Sequence, residues 1–132
     1  MLRRIVFIAH GIITLAAAVV LIAAPGLIPS TVGITLPPGR EILAYLLAGC
    51  EAGVAVVSIG AATLVEPRAV RVIAGGFAAL HALTGVLELV ALAGGADPFL
   101  AGNVGVRVVA TAVFVVIAVR PSRPARTPEP AP

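Results

Sequence analysis

The segment RVIAGGFAALHALTGVLELVALA, residues 71–93, decides the fold of this chain. It is apolar over at least the roughly 20 residues that a helix needs to cross the hydrocarbon core of a bilayer. It nevertheless carries His81 near its middle and Glu88 two turns later. A charged side chain at the centre of a membrane costs at least about 2.5–3.5 kcal/mol on insertion scales, so such groups face a bundle interior and have a partner or a function. The rest of the chain is therefore expected to surround this segment and to supply partners for it.

The composition places the whole chain in a membrane. Of its 132 residues, 60% are hydrophobic and 11% are charged, against about 45–50% and about 25% in soluble domains. No soluble core of this size could cover so much apolar surface, so a lipid bilayer is the expected surrounding. All nine basic residues are arginine and the formal net charge is only +3, which membrane topology explains better than nucleic-acid binding. The single cysteine, Cys50, lies in an apolar run and offers neither a disulfide framework nor a CxxC redox pair.

Four apolar segments predict four transmembrane helices, over about residues 5–24, 41–65, 69–93 and 100–119. The first run is longer than the roughly 7–15 residues of a signal-peptide core, which favours a membrane helix over a cleaved leader. The connection at residues 25–40 contains four prolines and three glycines, which exclude one continuous helix. Its apolar side chains predict that the connection packs on the mouth of the bundle or lies in the membrane interface. It would then serve as simple packing or as a lid over a cavity. Glu66-Pro67-Arg68 predicts a tight turn.

We predict an all-α fold, a four-transmembrane-helix bundle at residues 1–120, followed by a disordered Pro/Arg-rich cytoplasmic tail at residues 121–132. If the N-terminus is cytoplasmic, most arginines fall on that side: Arg3, Arg4, Arg68, Arg71, Arg120, Arg123 and Arg126. Arg40 alone then lies outside, and Arg107 lies within the membrane. The positive-inside rule therefore predicts both termini in the cytoplasm of a multi-pass protein of the inner (plasma) membrane.

Small residues predict close helix packing. Gly49 and Gly53 form a GxxxG pair in the second helix, and Ala101 and Gly105 form a small-xxx-small pair in the fourth. Such pairs let backbones approach in lipid, where no hydrophobic drive acts between helices. They are common in a chain this rich in alanine and glycine, so they predict a tight bundle without specifying a partner.

Each predicted span carries one stripe of polar side chains on a single helix face. The stripes are His10 and Thr14, then Glu51 and Ser58, then His81, Thr84 and Glu88, and finally Asn103, Arg107 and Thr111. A polar stripe in a membrane helix is expected to face the bundle interior.

Depth along the helices brings some of these residues together. At about 1.5 Å per residue, Glu51, Glu88 and Arg107 fall in the outer half of the membrane, with His81 near the midplane and His10 in the inner half. We therefore predict a ligand-binding or structural polar cluster of Glu51, Thr84, Glu88, Asn103 and Arg107, with His81 beneath it.

The predicted cluster holds two glutamates for one arginine. Arg107 can neutralise one carboxylate, a pairing that also fixes helix register. The second glutamate has to be protonated, paired with a histidine, or in contact with water. Glu51, His81 and Glu88 are therefore the candidate catalytic or proton-exchanging residues. No metal site or cofactor is expected, since His10 is predicted too deep on the inner side to meet Glu88.

Three functions fit this arrangement. The first is an accessory or assembly subunit of a membrane complex, and the second is a proton-coupled small transporter using Glu51 or Glu88. The third is a membrane enzyme that acts on a lipophilic substrate by Glu/His acid–base chemistry. The chain has the size of the small four-helix multidrug exporters, but it lacks tryptophan and Tyr45 is its only tyrosine. The partners that fit are a homodimer, a larger membrane complex or a lipophilic ligand, and no nucleic acid.

The run Leu46-Leu-Ala-Gly-Cys-Glu51-Ala-Gly53, followed by an apolar stretch, Arg68 and another apolar helix, resembles the DoxX-like superfamily of small bacterial membrane proteins. The resemblance covers about the middle half of the chain. It implies four membrane helices, with a glutamate followed by glycine in the second and an arginine near the second turn. It also implies a link to membrane redox or quinone metabolism. Glu51 and Arg68 are the two residues that match the family's glutamate and arginine.

Overall fold

Long helices make up most of the chain. The computed structural model describes residues 1–120, and every regular element within that range is an α-helix. The helices are α1 (Leu2–Ala23), α2 (Leu27–Ser30), α3 (Ile42–Ala61), α4 (Pro67–Ala93) and α5 (Leu100–Val119). All except α2 are long and apolar enough to cross a membrane. The predicted all-α fold with four spans is confirmed, and the predicted tail at residues 121–132 lies outside the described residues.

The four long helices are covered by protein on only part of their surface. The buried share of the apolar segment ranges from 28% in α1 to 11% in α5. Large aliphatic side chains on the outer faces, such as Ile13, Leu46 and Val109, are more than half exposed. An α-helix satisfies its own backbone hydrogen bonds, so surfaces of this kind are stable in hydrocarbon. The chain is accordingly a multi-pass membrane protein.

The long helices associate as two antiparallel pairs, α1 with α3 and α4 with α5. Within each pair one glycine allows the two helices to approach closely. A Cβ atom at Gly11 of α1 would lie 2.6 Å from Ile59 Cγ1 and 3.1 Å from the Ala55 carbonyl oxygen of α3. A Cβ atom at Gly85 of α4 would lie 3.2 Å from Arg107 Cβ of α5. Small residues thus set the helix spacing within each pair, as expected for helices in lipid.

The glycine pairs noted in the sequence lie on other faces. Apart from the neighbouring backbone of its own helix, a Cβ atom at Gly49, Gly53 or Gly105 would meet no atom of residues 1–120 within 4 Å. The tight packing predicted from these motifs is formed instead at Gly11 and Gly85. The GxxxG pair of α3 therefore faces away from the bundle interior.

Large side chains join the two helix pairs to each other. The rings of Phe7, Phe77 and Phe114 form a cluster with centroid separations of 6.3 Å, 5.7 Å and 5.1 Å, within the range of about 4.5–7 Å that aromatic pairs favour. Ala61 and Ala74 complete this core, in which Phe7 is 0% and Phe114 2% exposed. The pairs meet through these side chains, and the closest backbone contacts lie within each pair.

Two arginines at the start of α1 bond the end of α3. Arg3 Nη2 donates to the Leu64 carbonyl over 2.7 Å, and Arg4 Nε donates to the Ala62 carbonyl over 3.0 Å. Carbonyls at a helix C-terminus lack partners within the helix and carry the negative end of its dipole, so cations are stabilising there. The second span ends at Ala61 and not at residue 65 as predicted, and two of the carbonyls that follow it bond α1. We call this end of the bundle the arginine end, and its arginines are Arg3, Arg4, Arg68, Arg71 and Arg120.

The third span begins at Pro67, two residues before its predicted start. Glu66 has an extended backbone, and its carboxylate accepts from the backbone N–H groups of Arg68 and Ala69. Proline at the first helical position and an acceptor just before it are what helix N-termini favour. The predicted turn is thus a helix cap. The first span also extends beyond its predicted start, to Leu2.

The connection at residues 25–40 packs on the end of the bundle opposite the arginine end. It contains the single turn of α2, from which Ile28 packs against the buried cluster of Leu21, Ala44 and Ala48. Gly33 has a φ of 76°, and a Cβ atom there would lie 2.6 Å from the Asp97 side chain of the α4–α5 connection. Only glycine fits both this conformation and this close approach. The two connections therefore touch at this end of the bundle.

Candidate functional site

Polar side chains from all four long helices meet in the interior as one connected series, which we call the polar chain. Its members, in order of contact, are Asn103, Glu88, Arg107, His81, His10 and Ser58. The series starts between α5 and α4, crosses to α1 and ends on α3. It is therefore a polar connection between the two helix pairs.

The first part of the polar chain joins α4 to α5. Asn103 Nδ2 donates to Glu88 Oε1 over 2.6 Å, and Arg107 Nε lies 3.6 Å from the same oxygen. Arg107 Nη1 lies 3.2 Å from His81 Nδ1. His81 and Glu88 are two turns apart on one face of α4, and Gly85 lies between them. The close approach of the helices at Gly85 brings Arg107 within reach of both side chains.

Two histidines carry the polar chain across the space between the helix pairs. The Nε2 atoms of His81 and His10 lie 3.1 Å apart, with their rings at 82°. His10 Nδ1 lies 2.9 Å from Ser58 Oγ, and Ser58 donates to the Phe7 carbonyl oxygen over 2.9 Å. Ser58 is 0% and His81 6% exposed. These side chains therefore rely on each other for hydrogen bonds.

The hydrogen-bond partners on either side of the histidine pair, Arg107 and Ser58, determine which ring nitrogens carry protons. A guanidinium can only donate, and a carbonyl oxygen can only accept. Arg107 therefore donates to His81 Nδ1, so the proton of that ring is on Nε2 and is donated to His10 Nε2. Because Ser58 gives its single proton to the Phe7 carbonyl, its oxygen accepts from the N–H at His10 Nδ1. Both imidazoles are neutral, and all four ring nitrogens are engaged.

Aromatic rings surround the histidine pair. The His10 ring centroid lies 4.8 Å from that of Phe77 and 4.9 Å from that of Phe114. His81 stacks on Phe114 with a centroid separation of 5.9 Å and an interplanar angle of 10°. Apolar surroundings strengthen hydrogen bonds and make an unpaired polar group costly. Removing any one side chain of the polar chain therefore leaves a neighbouring polar group in the apolar interior without a hydrogen-bond partner.

Two buried atoms in the α4–α5 part have no hydrogen-bond partner within residues 1–120, namely Glu88 Oε2 and Arg107 Nε. Their side chains are 13% and 25% exposed, respectively. The 3.6 Å separation of Arg107 Nε from Glu88 Oε1 is an ion-pair contact but exceeds hydrogen-bond length. Arginine often binds a carboxylate through two parallel hydrogen bonds, whereas here Arg107 is shared between Glu88 and His81.

Three members of the predicted cluster lie in contact: Glu88, Asn103 and Arg107. Thr84 lies on the same face of α4, but its hydroxyl donates to the Leu80 carbonyl of its own helix over 2.7 Å. Glu51 is half-buried on α3. It makes no hydrogen bond or ion pair with the part of the chain that the structure describes. The polar chain therefore passes through His81 and does not include Thr84 or Glu51.

His10 and Ser58 belong to the polar chain, whereas depth counting predicts His10 in the inner half, away from the cluster. That count assumes that all helices begin level with one another. His81 lies six residues farther from the start of α4 than His10 lies from the start of α1, yet the two rings touch. At 1.5 Å per residue, α4 begins about 9 Å beyond the start of α1. The sequence signal that could have included His10 and Ser58 in the site is their position on the polar stripes of the first and second spans.

Neither of two surface cavities of the bundle touches the polar chain. Two surface cavities, of about 580 Å³ and about 480 Å³, lie at the arginine end, and neither is lined by Glu51, His81 or Glu88. Among residues 1–120, no three His, Cys, Asp or Glu side chains lie together as a metal site requires. The arrangement can hold helices together, and it can move a proton only when one of its bonds is released.

No protein-family model matches this chain, and the same holds for characterised proteins and for solved structures. The function is therefore inferred from the polar chain and from the surfaces of the bundle.

Proposed function

We propose that this chain is an accessory or assembly subunit of a membrane complex, and that the polar chain holds its two helix pairs in one relative setting. The supporting observation is that all four ring nitrogens of His10 and His81 are used inside the polar chain. A general base or a metal ligand needs a free nitrogen. These imidazoles have none while the bundle is intact, so their geometry favours a structural role.

The packing between the pairs explains why such a polar connection is useful. The pairs meet largely through aromatic and other side chains, since their closest backbone contacts are internal. Apolar contacts in lipid discriminate weakly between rotational settings, because lipid tails are as apolar as the side chains. Directed hydrogen bonds between His81 and His10 fix one setting. A small subunit that must present a constant surface to a partner would need this property.

The proposal also includes the membrane topology of the chain and its membership of a family. The arginine bias supports a topology with both termini in the cytoplasm of a bacterial inner membrane and Arg40 alone on the other side. The glutamate–glycine motif at Glu51 and the arginine at Arg68 support membership of the DoxX-like superfamily. Reporter fusions after residue 132 and within residues 25–40 test the topology, and an active periplasmic reporter at the C-terminus would reverse it.

Quantitative proteomics of membranes tests the accessory role. Deleting the gene is expected to lower the abundance of the subunits of one other membrane complex, and the native chain is expected to restore them. Thr63→Val is a suitable control for the complementation, because the Thr63 hydroxyl is exposed and bonds only the carbonyl of Gly60 in its own turn. If no other membrane protein decreases in the deletion strain, the accessory role is wrong.

A second candidate is proton-coupled transport, which is favoured by the direct contact between the two imidazoles. If Arg107 moved fully onto Glu88, His81 Nδ1 would be released and could take a proton. A proton added there could leave from His81 Nε2 to His10 Nε2, and on toward Ser58. This route requires Arg107 to alternate between two partners, since its fixed charge otherwise opposes a proton at His81.

Reconstitution separates the two candidates. In liposomes with a potassium-diffusion potential and an internal pH dye, the accessory role predicts the same acidification rate with and without the native protein. The transport role predicts a faster rate that His81→Leu abolishes and Thr63→Val leaves unchanged. Nitrogen-15 spectra of histidine-labelled protein add an independent readout: one ring is expected to carry its proton on Nδ1 and the other on Nε2.

A further inference from the structure

A groove between α1, α4 and α5 opens at the arginine end. Its volume is about 480 Å³, within the range of about 300–1,000 Å³ that small-molecule sites occupy. Its walls are apolar and come from all three helices: Leu2, Val6, Val70, Val113, Val116 and Ile117. Two charged side chains complete the lining, Arg3 from α1 and Arg120 from the end of α5. The groove therefore combines an apolar interior with a cationic mouth.

Within the described residues, little negative charge compensates the positive charges of Arg3 and Arg120 at the mouth of the groove. Glu66 is the one acidic residue of this end within residues 1–120, and its carboxylate is bound to the first N–H groups of α4. No carboxylate of the same residues lies within ion-pair distance of Arg3 or Arg120. Arg3 uses one nitrogen for the Leu64 carbonyl, which holds its guanidinium in place and leaves other N–H groups for a second acceptor.

The shape of the groove suits an elongated molecule. From Arg120 at the mouth to Val113 at depth, the groove follows two turns of α5, or about 10 Å at 1.5 Å per residue. A ligand that fills it needs an anionic group at one end and a hydrocarbon segment of that length. Arginine is suited to phosphate because its planar donors match the oxygen geometry.

We propose that this groove binds an anionic phospholipid, with its phosphate on Arg3 and Arg120 and part of one acyl chain along Val113 and Val116. Basic sites between membrane helices are known to bind anionic headgroups. A free phosphate would leave the apolar walls uncovered. A second copy packed by two-fold symmetry would bring arginines against arginines. The site is independent of the accessory role, since it shares no residue with the polar chain.

Native mass spectrometry of the full-length protein tests the proposal. The probes are phosphatidylglycerol and phosphatidylcholine with identical acyl chains, each added to delipidated protein in mild detergent. Arg120→Gln removes one phosphate contact, and Ala112→Phe fills the groove from α5. The matched control is Arg40→Gln, an exposed arginine of the opposite end.

The expected result is one retained phosphatidylglycerol, with phosphatidylcholine held more weakly. Arg120→Gln should weaken retention about fivefold, the usual contribution of one basic side chain near an anionic headgroup. Ala112→Phe should abolish it, and Arg40→Gln should leave it unchanged. Equal retention of the two lipids, unchanged retention in Arg120→Gln and Ala112→Phe, or a dimer that carries no lipid would each overturn the proposal. Glycerol phosphate binding as tightly as phosphatidylglycerol would overturn the acyl-chain part.

Discussion

Replacing Arg107 with alanine tests whether the polar chain stabilises the bundle. Alanine keeps the Cβ atom that lies against Gly85, so the close approach of α4 and α5 is preserved. The change removes the cation beside Glu88 and the donor to His81 Nδ1. Breaking a buried ion pair costs about 3–5 kcal/mol. Because the Arg107 side chain is 25% exposed and its Nε lies 3.6 Å from the carboxylate, we expect a smaller loss of about 2–3 kcal/mol.

The assay is the thermal unfolding of purified protein in detergent, followed by the loss of the monodisperse peak in size-exclusion chromatography. A loss of 1 kcal/mol lowers the melting temperature by roughly 3–5 °C for a domain of this size, so Arg107→Ala should lower it by about 6–15 °C. The control is Arg68→Ala. Arg68 is exposed and donates only its backbone N–H, to the Glu66 carboxylate, so its change should stay within about 0.5 kcal/mol.

Two outcomes would refute this reasoning. If both variants are equally stable, Arg107 has no buried partner. If Arg107→Ala raises the yield and the melting temperature, Arg107 faces lipid, where an arginine costs at least about 2.5–3.5 kcal/mol. A second change supplies a positive test: adding Glu88→Gln to Arg107→Ala removes the stranded charge and should restore about 1 kcal/mol or more.

Other substitutions test the remaining contacts. Ser58→Ala removes the hydroxyl that joins α3 to α1 and should cost about 1–3 kcal/mol in the same melting assay, whereas a Ser58→Ala protein as stable as Thr63→Val would contradict this role. Gly11→Ala places a methyl group 2.6 Å from a side-chain carbon of α3 and should cost about 1–3 kcal/mol by overpacking. Gly49→Ala meets open space and should be neutral or stabilising, and equal losses for the two glycines would disprove the assigned contact. Glu66→Ala removes the α4 cap and should cost about 1 kcal/mol. Faster hydrogen exchange in the first turn of α4 should accompany it, and unchanged exchange would show that the cap is dispensable.

The four spans could be predicted because the length and hydropathy of a membrane helix follow from the thickness of the bilayer. The helix ends were predicted less closely, because hydropathy does not specify the terminal residues of a helix. The second span ends at Ala61, and hydropathy does not reveal that Arg3 and Arg4, far away in sequence, bond the carbonyls that follow. The third span starts at Pro67 because Glu66 caps it, a local signal that the sequence does contain.

The part of the candidate site on α4 and α5 was predictable by helix face and depth, but its continuation to α1 was not. Spacing along α4 and α5 places His81, Glu88 and Arg107 on facing stripes, and the structure brings them together. Spacing does not reveal the offset of about 9 Å between α1 and α4, so it separates His10 from His81. Nor does it reveal that a threonine hydroxyl such as that of Thr84 bonds its own helix, although this is common for threonine inside helices.

The direction of the hydrogen bonds makes the two helix pairs chemically unlike. Arg107 occupies His81 Nδ1, so the α4–α5 pair presents an N–H group at His81 Nε2. Ser58 accepts from His10 Nδ1, so the α1–α3 pair presents a bare nitrogen at His10 Nε2. Two like pairs would set donor against donor or lone pair against lone pair. The hydrogen bond that joins the two pairs therefore has one direction, with the α4–α5 pair as its donor and the α1–α3 pair as its acceptor.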